Sequence, residues 1–157
     1  PNRLAFLGAR FLEIAVLAAV FTALIVVATL ATAAVAGLPL IMSPLPDLLL
    51  WTALVVLAAT GFGMLTALAV WVTRKMASGI VIGIVLAAGL VTLALQSVLL
   101  LFPSASFLAD FTLSSCMSSL SLGLAGPLGV PHIALVCAAF IIVAAAASAV
   151  VLQRKDV

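Results

Sequence analysis

The stretch Trp71-Val-Thr-Arg-Lys-Met-Ala-Ser-Gly79 interrupts a nearly continuous apolar sequence with two adjacent cations, Arg74 and Lys75. A connection this short joins antiparallel neighbours, so the apolar runs on either side read as a helical hairpin. Outward from that turn, every other Lys or Arg also sits at a cut. Arg3 and Arg10 precede the first apolar run, and Arg154 and Lys155 follow the last. The breaks around Pro39–Asp47 and Pro103–Pro131 contain neither Lys nor Arg. Lys and Arg concentrate in cytoplasmic loops. Both termini of the chain and the 74–75 turn are therefore expected in the cytoplasm, and the other two breaks outside.

Composition agrees with a lipid solvent. The chain has 157 residues, of which 68% are hydrophobic and 6% charged, with a mean hydropathy of +1.55. A surface that apolar cannot face water as a soluble monomer. The net charge of +2 comes from juxtamembrane pairs rather than a basic groove or stripe, which excludes nucleic acid as a partner. A hydrocarbon core about 30 Å thick takes about 20 helical residues. Four segments qualify, near residues 10–37, 48–73, 78–102 and 131–153. The expected fold class is all-α: one polytopic transmembrane domain over residues 1–157, with four membrane-spanning helices. Membrane strands would be shorter and would alternate in polarity. Trp51 and Trp71 stand near opposite ends of the second span, as interfacial anchors do. The first apolar run is too long for a cleaved signal peptide. The chain opens on Pro1 rather than Met, so it is expected to be a piece of a longer protein.

The breaks differ in kind. Gly37-Leu-Pro-Leu-Ile-Met-Ser-Pro-Leu-Pro-Asp47 carries three prolines, a firm stop, and Asp47 is placed to cap the second span. Between Pro103 and Pro131, apolar residues from Phe107 to Leu124 are interspersed with hydroxyls from Ser104 to Ser121. A solvated loop would not be so apolar, and a full span would not carry so many hydroxyls. A re-entrant or interfacial helical segment over 103–130 fits both facts. A fifth span would move one basic pair to the wrong side.

Chemistry-bearing residues are sparse. No nucleophile–base set, Walker motif or metal-ligand spacing is present, so the chain is not read as an enzyme and no cofactor is assigned to it. His132, the lone histidine, sits at the outer mouth of the fourth span and reads as a cap or surface group. Cys116 and Cys137 are too few for a disulfide framework and read as small packing residues. Arg10 and Glu13 share a helix face, either as a local ion pair or as a contact for a partner. Gly79 and Gly83 form a GxxxG pair that permits close helix approach, unless they are only small residues in an Ala-rich span. In the third span Gly89, Thr92 and Gln96 fall on one face. That face either lines a solute path or bonds to a neighbouring helix. The repeats Thr22/Thr29 and Thr66/Thr73 suit hydroxyls bonded back to their own helices.

Several of these features together resemble the membrane subunits of type-2 ABC exporters. Pro1-Asn-Arg3 followed by Arg10 resembles the cytoplasmic segment leading into that family's third span. Gly63-Met-Leu-Thr-Ala-Leu-Ala-Val-Trp-Val-Thr-Arg-Lys-Met-Ala-Ser-Gly79 is similar to its fourth-to-fifth span hairpin. The Phe102–Pro131 excursion looks like its extracellular re-entrant helices, and Gln153-Arg-Lys-Asp-Val157 resembles its basic terminus. That family has six spans, so the resemblance implies two more before Pro1. It also implies a permease in the cell membrane that moves a lipophilic or amphipathic substrate outward. A second permease subunit, identical or not, would complete the pore. A cytoplasmic ATP-binding subunit would hold ATP and Mg. By the same resemblance Asn2, Arg3 and Arg10 lie near the ATPase contact. Thr92, Gln96 and Ser97 line the path, and Leu99, Leu100, Leu101 and Phe102 form an apolar outer gate. The alternative is a non-transporting scaffold subunit, in which Thr92 and Gln96 only hold helices together.

Overall fold

A computed structural model describes residues 3–37 and 44–154. Among them are six α-helices and one 3-10 segment, with no strand. The helices are α1 (Arg3–Val35), α2 (Leu45–Thr73), α3 (Met76–Ala87), α4 (Leu90–Leu99), α5 (Leu113–Ser121) and α6 (Val130–Arg154), and the 3-10 segment is Pro103–Phe111. Three stretches are long and apolar enough to cross a membrane: Ala5–Val35, Leu45–Thr73 and Val130–Leu152. The pair α3 and α4 adds a fourth if it is taken as one bent crossing. This all-helical architecture is that of a membrane-embedded protein.

Leu, Ala and Met favour helix intrinsically. The threonines that interrupt them are made harmless locally. Thr22, Thr29 and Thr32 in α1, and Thr52, Thr60, Thr66 and Thr73 in α2, each donate to a carbonyl three or four residues back at 2.7–2.8 Å. The repeats noted in the sequence are of this self-bonded kind.

The helix α2 is the axis of the bundle and packs against α1, α3, α5 and α6. It starts at Leu45, with Pro46 and Asp47 in its first turn. Asp47 therefore stands one turn inside the helix rather than at the capping position expected of it. A carboxylate there still suits the positive helix end. The helix stops at Arg74, whose left-handed backbone (φ 57°) lets its N–H reach the Val70 carbonyl at 2.7 Å. The chain then reverses directly into α3, giving the expected hairpin. At Gly79 the two helices nearly touch. A Cβ built there would come within 2.3 Å of the Val70 methyl and 3.5 Å of the Thr66 carbonyl. The GxxxG spacing thus marks a packing face.

The tightest core joins three helices: Leu54 and Ala58 of α2, Leu113, Cys116 and Leu120 of α5, and Ile133, Val136 and Cys137 of α6. Both cysteines are free thiols buried in this core, as packing residues. In contrast α1 lies at the edge. It begins at Arg3, so Arg10 falls inside the helix rather than at its start. Its Phe21 and Ile25 are each 63% exposed.

The expected uninterrupted third span over 78–102 needs correction. Gly89 takes φ +68°, α3 ends at Ala87, and α4 leaves at 55° to it. A left-handed backbone is easy only for glycine, so this residue fixes where the span bends. Gly89 is the hinge between the two helices, and only Thr92 and Gln96 keep the shared face.

Replacing Gly79 by Leu should overpack the α2–α3 contact by about 1–3 kcal/mol. The expected outcome is a lower thermal midpoint of the detergent-purified protein, whereas Ala77→Ser on the exposed side should leave the midpoint nearly unchanged.

Candidate functional site

The bend at Gly89 leaves backbone groups that a straight helix would have satisfied. In lipid such groups need protein partners. The Leu86 carbonyl, at the end of α3, accepts from the Gly89 N–H at 3.1 Å and from the Ser114 hydroxyl of α5 at 3.2 Å. A residue from the hydroxyl-rich segment thus completes the broken span.

A second set of bonds ties α4 to the same segment. Thr92 donates to the Thr112 hydroxyl at 3.0 Å, Thr112 to Ser115 at 2.9 Å, and Ser115 to the Ala109 carbonyl at 2.8 Å. Thr112 is also the cap of α5 and accepts the Ser115 N–H at 3.2 Å. At the other end of α5, the Trp51 indole N–H donates to the Leu120 carbonyl at 2.8 Å. Ser119 accepts the Leu128 N–H at 3.1 Å, which folds the following turn back onto α5. His132 has a fixed task as well. Its Nε2–H donates to the Asp110 carbonyl at 3.0 Å, and its ring meets Phe111 edge-on with centroids 4.8 Å apart. The start of α6 therefore clamps the end of the 3-10 segment.

These connections frame two adjoining open cavities. The first, about 530 Å³, lies between α4 and α5 and is rich in hydroxyls, with Thr92, Ser114, Ser115 and Ser118 on its walls. The second, about 880 Å³, lies between α4 and the 3-10 segment and is walled by Leu99, Leu100, Phe107, Ser97 and Ser106. Leu93, Gln96 and Asp110 line both. Among the described residues, neither the Gln96 amide nor the Asp110 carboxylate makes a side-chain hydrogen bond or ion pair. The cleft can therefore accept and donate hydrogen bonds and present one negative charge to a bound solute.

The sequence-derived candidates distribute unevenly over this geometry. Thr92 and Gln96 share the first cavity, and Gln96 and Ser97 share the second. Thr92 is buried and already bonded, and Ser97 bonds back to the Leu93 carbonyl at 2.8 Å. Of the proposed gate, Leu99 is buried and Leu100 borders the second cavity, while Leu101 and Phe102 are exposed and line neither. At the far end of the chain, Arg10 pairs with Glu13 and lies 5.5 Å from the Phe6 ring centroid. Asn2 and the Arg3 side chain lie outside the described residues.

Sequence reasoning missed Asp110. The signal was present, because Asp110 is the only charged residue between Lys75 and Arg154. Comparison with protein-family models, curated proteins and solved structures finds no match to this chain.

Two substitutions test the frame. Thr112→Val removes both the cap and the middle of the hydroxyl chain, and should cost about 1 kcal/mol or more in a melt of the purified protein. Ser114→Ala should cost only about 0.6 kcal/mol, the usual worth of an interhelical bond in lipid. The larger effect is expected from Thr112.

Proposed function

We propose that this chain is a permease subunit that exports a lipophilic or amphipathic solute across the cell membrane, in the manner of type-2 ABC exporters. On this reading it works with a second permease subunit and a separate cytoplasmic ATPase. The observation that carries the proposal is the pair of joined cavities at the bend of α3 and α4, with Gln96 between them. The amide and the Asp110 carboxylate are both exposed to the open cleft, where a solute can reach them. Polar groups within membrane helices are costly and tend to mark solute pathways.

The bent α3–α4 pair serves as the third crossing, so that Arg74–Lys75 and both ends of the chain face the cytosol. The α5 segment is re-entrant. Supporting this, Leu113 lies in contact range of Gly61, near the middle of α2, and Ile141, near the middle of α6, borders the same glycine. From there α5 climbs toward Trp51 at the outer part of α2. A solute with hydroxyl or amide groups finds partners in the first cavity and apolar walls in the second. ATP-driven rearrangement would have to favour the outward-facing state by several kcal/mol to make transport directional. The bend at Gly89 is a suitable place for that motion, since Gly89 itself lines the first cavity.

The scaffold reading has one observation in its favour. The Thr92 hydroxyl is already engaged with Thr112, as helix-to-helix glue would be.

Gln96→Leu separates the two readings. Transport should fall roughly fivefold, the equivalent of one hydrogen bond of about 1 kcal/mol, while the melting temperature holds. Unchanged transport at normal expression would move Gln96 to the scaffold role, as would co-purification with a membrane complex that contains no ATPase. Orientation has its own check. Both native thiols are buried, so Lys75→Cys gives a clean target for a membrane-impermeant maleimide. It should label in inverted vesicles and not in intact cells.

A further inference from the structure

We propose that the joined cavities select a lipophilic organic cation, held at Asp110. The inference rests on reading the cleft as a solute site and adds the charge of its ligand. Asp110 lines both cavities and is the only charged residue from Met76 to Gln153. Its carboxylate has no hydrogen-bond donor or basic partner among the described residues. The carboxylate is exposed to the open cleft and so is available to a ligand. A bound cation gains a charge-assisted contact there, and an anion is repelled.

The position of this carboxylate is held, not incidental. The backbone at Asp110 is fixed by the His132 bond, and the neighbouring Ala109 carbonyl is the end point of the Thr92–Thr112–Ser115 chain. Asp110 thus stays where the two cavities meet. On one side are the serines of α5, which suit the polar groups of a solute. On the other are Leu99, Leu100 and Phe107, which suit its hydrocarbon part. Phe107 adds an aromatic face to the same cavity as the carboxylate, and such faces attract onium groups. The two volumes, about 530 and 880 Å³, lie in the range of small-molecule sites, roughly 300–1,000 Å³. Gln96, facing both, supplies a neutral donor and acceptor that fits an amine or an ether without competing for charge.

The test uses the purified chain in lipid nanodiscs with two probes of nearly equal size and opposite charge, tetraphenylphosphonium and tetraphenylborate. Saturable phosphonium binding is expected, weakened about tenfold or more by Asp110→Asn and largely kept by Asp110→Glu. Tetraphenylborate should displace it about tenfold less well than unlabelled phosphonium does. Equal phosphonium affinity in wild type and in monodisperse Asp110→Asn overturns the proposal, as does equal displacement by the two probes. If Asp110→Asn aggregates, the phosphonium-to-borate preference of the wild type decides alone. This binding needs no ATPase. A cation-selective site in a chain that transports nothing would leave this inference standing and remove the exporter reading. Transport of neutral solutes without phosphonium binding would do the reverse.

Discussion

Backbone amides and carbonyls must find partners inside the protein when the surrounding solvent is hydrocarbon, and this constraint organises the whole chain. The helices α1 and α2 meet it alone. Their threonines bond back along the same helix, and only Thr73, at the α2–α3 turn, also bonds beyond it. The α3–α4 pair cannot do so, because Gly89 breaks its ladder. Ser114 of α5 supplies a partner to the Leu86 carbonyl, and the α5 cap Thr112 bonds the Thr92 hydroxyl. The polar segment and the broken helix are therefore one device. Either one alone would be expensive in a membrane.

That device also explains why the cleft is where it is. A bent helix opens a gap beside itself, and a hydroxyl-bearing helix packed against the bend gives the gap a polar wall. The remaining wall comes from the 3-10 segment, clamped by His132. The apolar core of Leu54, Leu120 and Ile133 holds α5 to α2 and α6 from behind. Packing thus fixes the back of the site, and hydrogen bonds fix its mouth.

Much of the architecture could be read from particular residues. The basic pairs and apolar runs located the long helices, and the short Thr73–Ser78 connection gave the α2–α3 hairpin. Gly79 was legible as a contact because its spacing with Gly83 repeats on one face. Gly89 was not, since a glycine among alanines looks the same whether it continues a helix or ends it. The bond from Ser114 that covers the Leu86 carbonyl at the break is tertiary, and no local pattern reveals it. Gln96 could be picked out as an isolated amide in an apolar run. Asp110 was passed over because it sits in a segment whose hydroxyls drew attention first. Its contact with the cleft depends on a 3-10 turn that has no clear sequence signature. The task of His132 was hidden for a similar reason, since its acceptor lies 22 residues earlier in the chain.

The length of α1 has a separate consequence. Its apolar stretch Ala5–Val35 runs 31 residues, about 46 Å at about 1.5 Å per residue, against roughly 30 Å of hydrocarbon. With only 6% of its most apolar window covered by the rest of the bundle, the surplus has little protein to rest on. The turns that carry the exposed Arg10–Glu13 pair therefore extend past the hydrocarbon, and the apolar remainder is about one bilayer long. Along that remainder the flank of the rod is left to the lipid, which is why its exposed face carries Phe21 and Ile25 rather than polar side chains.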